Sequence, residues 1–390
     1  MKVTPTARLF PAIHPASLLV ITLLVTQGAT ATAEVKDSRN RWELYHEFTP
    51  NGWRRHNHAG IAYDEARDAI YMFGSDTHGL DHDNSVYQFD IAGKTWTQHY
   101  SPSPLSSYQV SDDGLNTANH QGQVRPWAMH TYDNILFDPN RRALVITAFP
   151  EHNPQGKKMG RKGAWGTWLY YVDSRSWEPL ATPPNQPKAF AAGSAYDPDG
   201  KRAFLYKWKM WTLSSSGKQW LQEGPGSKHA IHYAVEYDSR HRLLGVFGDH
   251  KNSSRVHLYF PGKTGEAGRW EVREPTGDLA PEDQHFPVAF STRDGVFLLA
   301  PDDTVFVKQP SGYRKPIKPK RAFTFLYDVE RNRYLKLPDA ELPPLGMNYA
   351  MIYSAPRNAF FLLTGNDRLS VWRLKLDLEA LPQWADGSQP

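Results

Sequence analysis

Six residues in the first two fifths of the chain, His56, His58, His78, His130, Tyr132 and His152, are of the two types best suited to moving protons near neutral pH. Imidazole titrates near neutrality, and a phenol held beside a cation can act first as base and then as acid. Such groups can remove the proton α to a carboxylate and protonate a departing oxygen, while a cation or hydrogen-bond donor holds the carboxylate as it becomes enolate-like. In a uronate polymer that sequence is β-elimination of the 4-O-glycoside. On this reading His58 or His78 neutralises the carboxylate, Tyr132 is base and acid, and His130 and His152 complete the catalytic set. Basic residues in the same loops, Arg54, Arg55, Arg125, Lys157, Lys158 and Arg161, would hold the chain of the polymer. Metal chemistry competes. Asp76, His78 and His82 share one short loop with Asp81 and Asp83, and two imidazoles with a carboxylate suit zinc or manganese. No motif supports a Ser-His-Asp nucleophile, and paired carboxylates such as Asp76 and Asp249 recur less in these loops than His, so hydrolysis ranks below elimination.

These residues are brought together by a repeat. A hairpin turn that reads aromatic-Asp occurs at Tyr63-Asp64, Phe137-Asp138, Tyr196-Asp197 and Tyr237-Asp238, with divergent copies at Phe290-Ser291 and Tyr353-Ser354. A third strand follows each, and a fourth opens at Trp96, Trp177, Trp220, Trp270 or Tyr334. A period of this kind, built only from short apolar strands, predicts an all-β propeller with one four-stranded blade per repeat. First and third strands of a blade run the same way, so the loops entering the first and third strands share one face. Five places before the hairpin aromatic stand His58, Tyr132, Ala191, His232, His285 and Asn348 in turn. Fifteen places after it stand His78, His152 and Trp211, with His250 two places short in the fourth repeat. A packing residue recurs in every repeat, as Trp does, whereas residue type here varies at one geometric position. Variation on a constant scaffold points to binding, so His232, His250, His285, Asn348 and Trp211 join the substrate-binding set.

The sixth repeat lacks its fourth strand, and Arg41-Trp42-Glu43-Leu44-Tyr45 reads like one without a blade of its own. The N-terminal strand is therefore expected to complete the last blade and remove the open edges of the array. The count is six blades, or seven if the extra apolar run Thr304 to Val307 in the long fifth repeat hides another. Residues 34–380 form one propeller domain on this reading, followed by a polar tail at 381–390. Three insertions, Ser101 to Arg125, Asn153 to Trp165 and Pro301 to Arg321, are expected on the His-bearing face.

Residues 1–33 carry Lys2 and Arg8, an apolar run from Ser17 to Val25 and Ala31-Thr32-Ala33 before Glu34. This is the pattern of a secretory signal peptide, which predicts a secreted or periplasmic protein, with an uncleaved anchor as the lesser alternative and no stable membrane span after cleavage. The chain has no cysteine, which removes disulfides, thiolate nucleophiles and Cys-crosslinked radicals. Its net charge of +4 is modest. No nucleic-acid module is present, so an acidic polysaccharide or oligosaccharide bound by a monomer is the expected partner.

The run Ala69 to Gly74, then Asn84 to Asp90, then Lys94-Thr95-Trp96 resembles a kelch motif of the galactose-oxidase-type propellers, over about residues 41 to 376. The double glycine of that family is absent, since Gly74, Gly248 and Gly365 stand alone, and the missing cysteine excludes its copper-radical chemistry. The order His58, His78, Tyr132 is similar to that of propeller polysaccharide lyases such as ulvan lyases. The resemblance implies β-elimination with these three residues in the roles given above. That family's Arg falls here near Phe149 and Pro150, so His152 or a base of the 157–162 loop would replace it. A non-catalytic carbohydrate-binding or envelope-assembly propeller is the second reading.

Overall fold

The computed structural model describes residues 38–48, 58–75, 82–112, 114–147, 166–180, 187, 191–226, 234–248, 254–263, 266–278, 286–311, 314–318, 320–345, 349–365 and 369–385. All lie in one compact unit, Ser38–Pro390.

Among the described residues the repeats fold as six sheets in chain order, antiparallel except for the short parallel edge strand Thr276–Gly277 of sheet five, and no sheet closes on itself. The innermost strands of sheets one to six are Gly60–Asp64, Ile135–Asp138, Gly193–Asp197, Ala234–Asp238, Val288–Ser291 and Tyr349–Ser354. Each pairs with its own hairpin partner in register, for example Tyr63 with Ile70 and Tyr237 with Leu244. The outer strand of sheet six is Trp42–Phe48, which pairs antiparallel with Leu369–Leu374, so residues from the two ends of the unit share a sheet. The extra apolar run of the fifth repeat adds no further four-stranded sheet. Val305–Lys308 pairs instead with Arg314–Ile317 as a hairpin of its own.

Apolar clusters fill the spaces between neighbouring sheets. Ala62, Tyr71 and Phe73 meet Ile135, Phe137 and Leu144 between sheets one and two, and Ile70 and Phe89 meet Ile352 and Phe361 between sheets one and six. Both sets are buried because the strands alternate residues toward two neighbouring sheets, which is why the second strands read as unbroken apolar runs.

The signature residues have local reasons. Three of the four hairpin Asp residues accept from backbone N–H groups of their own turn: Asp138 from Asn140 and Arg141, Asp238 from Arg240 and His241, Asp197 from Gly200. The carboxylate thereby satisfies donors that a tight turn leaves unpaired. The Tyr of the turn reaches five residues on, where Tyr63 donates to Asp68 and Tyr353 to Asn358, both in the left-handed region with φ of 51° and 46°. The signature Trp clasps the preceding sheet. Trp177 donates to Tyr100 Oη at 2.7 Å, Trp220 to Thr167 Oγ1 at 2.8 Å, Trp270 to the Pro225 carbonyl at 2.8 Å and Trp42 to Thr324 Oγ1 at 2.8 Å. Trp220→Phe keeps most of the apolar contact but removes a buried hydrogen bond and part of the ring volume. It should cost about 2 kcal/mol, read as a lower urea midpoint with an unchanged slope.

The insertion before sheet two forms a three-stranded sheet of Tyr108–Val110, Asn116–His120 and Gln123–Pro126. Trp127 anchors it by donating to the carbonyls of Thr117 at 2.8 Å and Gln109 at 3.1 Å. Buried Asn84 ties it to sheet one, donating to the Pro126 carbonyl and accepting from Ser103 N–H. Arg125, expected to meet substrate, is instead 2% exposed. Its guanidinium lies 4.0 Å above the Tyr100 ring and donates to the Ser101 carbonyl, so it holds the insertion together and is withdrawn from the binding set.

Candidate functional site

The insertion delivers the segment Met129 to Asp133 across the ends of several innermost strands. Ser75 N–H donates to the Met129 carbonyl, and the N–H groups of Thr131 and Tyr132 both donate to the His58 carbonyl, at 3.1 and 2.8 Å. Thr131 Oγ1 donates to the Phe73 carbonyl at 2.7 Å and accepts from Gly60 N–H at 2.7 Å. Further along, the Asp133 carbonyl accepts from Ser194 N–H, and Asp133 Oδ2 accepts from Val235 N–H at 2.8 Å. One short segment is thus bonded to sheets one, three and four.

This lattice holds two side chains in unusual backbone. His58 and Tyr132 have φ of 63° and 49°, and Ala191, at the equivalent place in the third repeat, also has 49°. Left-handed backbone at a residue other than glycine costs of order 1–3 kcal/mol and persists only where its surroundings impose it. The effect is to aim side chains at entry points of innermost strands. The rings of His58 and His130 stack with centroids 4.3 Å apart and an interplanar angle of 14°. Tyr132 stands edge-on to both, 5.1 Å from His58 and 5.6 Å from His130. Its hydroxyl lies 3.3 Å from His130 Nδ1, within reach of donating to it. His130 is 2% exposed, while His58 and Tyr132 are half-buried.

His58 and Tyr132 also line a cavity of about 300 Å³ that runs along the innermost strands of the sheets. It is walled by Ala62, Ala195, Val235, Val288 and Ile352, with hairpin residues such as Glu65 and Ser239 at the far end. Besides the exposed Glu65, the carboxyls of Asp133 and Glu236 line it. Burial holds the Asp133 carboxyl well above the usual carboxylate range, the nearby Glu236 charge adding to the effect. Burial likewise raises Glu236, to about 8 from an ordinary value of 4.5. Between about 4.5 and about 8 the folded chain therefore keeps a proton that the unfolded chain has released, and stability falls as pH rises through that window. Glu236→Gln should remove this dependence and raise stability at pH 8 by about 2 kcal/mol or more, measured as urea midpoints at several pH values. Neither carboxyl was among the expected site residues. A lone acid inside the strand Ala234-Val235-Glu236-Tyr237 was the available signal for one of them.

The other expected residues divide plainly. Trp211 lies within the third strand of sheet three and packs on Leu205 and Leu213, away from the loops. The connection before it is the single residue Trp208, so counting fifteen places from the hairpin aromatic overshoots into the strand. This removes Trp211 from the binding set. His82 is half-buried, and its carbonyl accepts from Tyr108 Oη. Arg54, Arg55, Asp76, His78, His152, Lys157, Lys158, Arg161, His232, His250, His285 and Asn348 lie outside the described residues. Among the described residues no group of three or more His, Asp and Glu is placed to hold a metal ion.

Comparison with solved structures finds a fungal alcohol oxidase of the AA5 family in complex with copper, with TM-score 0.50, 11% identity, and coverage of 89% of this chain and 79% of that one. The fold is propeller-like and all-β. A chain of a mitotic checkpoint complex aligns with TM-score 0.45 and 9% identity, over 92% of this chain and 99% of that one. No protein-family model matches the chain, and no curated protein matches it. At such identities the likeness concerns the fold alone. No helix among the described residues is long and apolar enough to cross a membrane.

Proposed function

We propose that this chain is an exported, six-bladed kelch-type propeller, closed by its N-terminal strand, that cleaves an acidic, uronate-containing polysaccharide by β-elimination. The observation that carries the reading is the juxtaposition of His58, His130 and Tyr132, with the phenol 3.3 Å from His130 Nδ1, at the end of the axial cavity. Two stacked imidazoles repel when both are charged, so the pair holds one cation at most. His130 takes the Tyr132 hydroxyl proton and, as the cation of the pair, holds the resulting phenolate, while neutral His58 donates an N–H to the uronate carboxylate. The phenolate takes the proton from C5, the C5–H electron pair becomes the C4–C5 double bond, and the C4–O bond breaks. The proton now on Tyr132 passes to the departing oxygen, so no further reactant is consumed. The basic residues Arg54, Arg55, Lys157, Lys158 and Arg161 hold the polymer.

The closed ring is supported by the pairing of Trp42–Phe48 with Leu369–Leu374 and by the apolar cluster between sheets one and six. The experiment is product mass. Elimination yields oligomers whose new non-reducing end lacks the elements of water, whereas hydrolysis adds them. Intact polymer that is nonetheless retarded on affinity gels would replace the reading with non-catalytic binding.

A further inference from the structure

The hairpin inserted in sheet five is built unlike the rest of the molecule. Val305–Lys308 and Arg314–Ile317 form a two-stranded sheet of their own, with Val305 directly opposite Ile317. Residues 305 and 307 point to one face of their strand, and the cross-strand partner of 305 shares that face. Val305, Val307 and Ile317 are 56%, 43% and 54% exposed, a contiguous aliphatic face on an element that is marginal in water by itself. Charge along its sequence has one sign. No acidic residue occurs between Asp303 and Asp328, while Lys308, Arg314, Lys315, Lys318, Lys320 and Arg321 fall in that interval. Arg321 is taken up by Glu341 at 2.9 Å, whereas Lys318 and Lys320 are exposed. The hairpin joins the second and third strands of its sheet, so it leaves from the same side as His58.

We propose that this hairpin docks the protein on an anionic lipid surface, its aliphatic face at the headgroup boundary and its lysines among the headgroups. Branched aliphatic side chains have little to offer a hydroxylated polymer, but they gain free energy where acyl chains begin, and each nearby base adds attraction to anionic lipid. The inference is independent of the activity proposed above.

The test is co-sedimentation of the protein with phosphatidylglycerol-containing vesicles and with pure phosphatidylcholine vesicles. Binding is expected to the former only and to weaken with salt. Val305→Ser, Val307→Ser and Ile317→Ser combined should reduce partitioning at least tenfold, as should Lys318→Gln with Lys320→Gln. All variants keep the same N-terminus, so any contribution from the apolar run at residues 17–25 cancels. Unchanged thermal melts establish that they remain folded, and the lysine pair serves if the triple variant does not. Absence of vesicle binding, or equal binding by both variants and the parent, overturns the proposal. So does retention on an acidic polysaccharide gel that the triple variant loses while vesicle binding is nil, which would make the hairpin a polymer contact.

Discussion

Replacing Tyr132 by Phe is expected to lower turnover of a uronate polymer by roughly 10²- to 10⁴-fold, the usual contribution of a positioned acid-base group, while leaving affinity within a few fold. The ring stays, so its edge-on contacts with His58 and His130 and the backbone bond from Tyr132 N–H to the His58 carbonyl are kept. Only the hydroxyl that approaches His130 Nδ1 is lost. The fall should therefore appear in kcat, with KM nearly unchanged. Single-turnover kinetics and affinity electrophoresis on the same preparation separate the two effects. Undiminished turnover would remove Tyr132 from the chemistry, and a matched loss of affinity would make it a binding group.

The largest effect on stability is expected from Gly60→Ala. Gly60 begins the innermost strand of sheet one, and a methyl there would overlap the Tyr132 carbonyl and the Ile135 side chain. The carbonyl belongs to the segment that is bonded to sheets one, three and four, so it cannot retreat without breaking the bonds of Thr131 and Asp133. A cost on the order of 3 kcal/mol follows, seen as a lower urea midpoint. Displacement of Tyr132 should also lower activity in the fraction that remains folded. Gly122→Ala is the contrast. Nothing lies within 4 Å of its added methyl and only its φ of +73° resists the change, so about 1 kcal/mol is expected.

The fold was legible because its signals are local and repeated. Aromatic-Asp turns and the recurrent Trp could be read as a propeller, and their reasons are short-range or between adjacent sheets: an Asp that satisfies turn amides, an indole that clasps the sheet before it. The run Thr304 to Val307 was ambiguous because an apolar strand does not declare its partner, and here the partner is the basic segment Arg314–Ile317. At the site, alignment of repeats picked out His58 and Tyr132 as equivalent, and both have left-handed backbone. The stacking of His130 on His58 depends on how the insertion leads into sheet two, which no repeat encodes. Arg125 misled for a related reason, since a base in a polar insertion reads as surface until Tyr100 is seen beneath it. Asp133 and Glu236 were passed over because single acids carry no pattern, although their burial is what raises their proton affinity.

The most direct measurement of the central claim is the ultraviolet absorbance of the protein incubated with a panel of uronate polysaccharides. A conjugated C4–C5 double bond formed beside the carboxylate absorbs where the intact polymer does not. A steady rise with at least one polymer, abolished by Tyr132→Phe, is the expected result. A flat trace across the panel from folded protein that binds those polymers would contradict it.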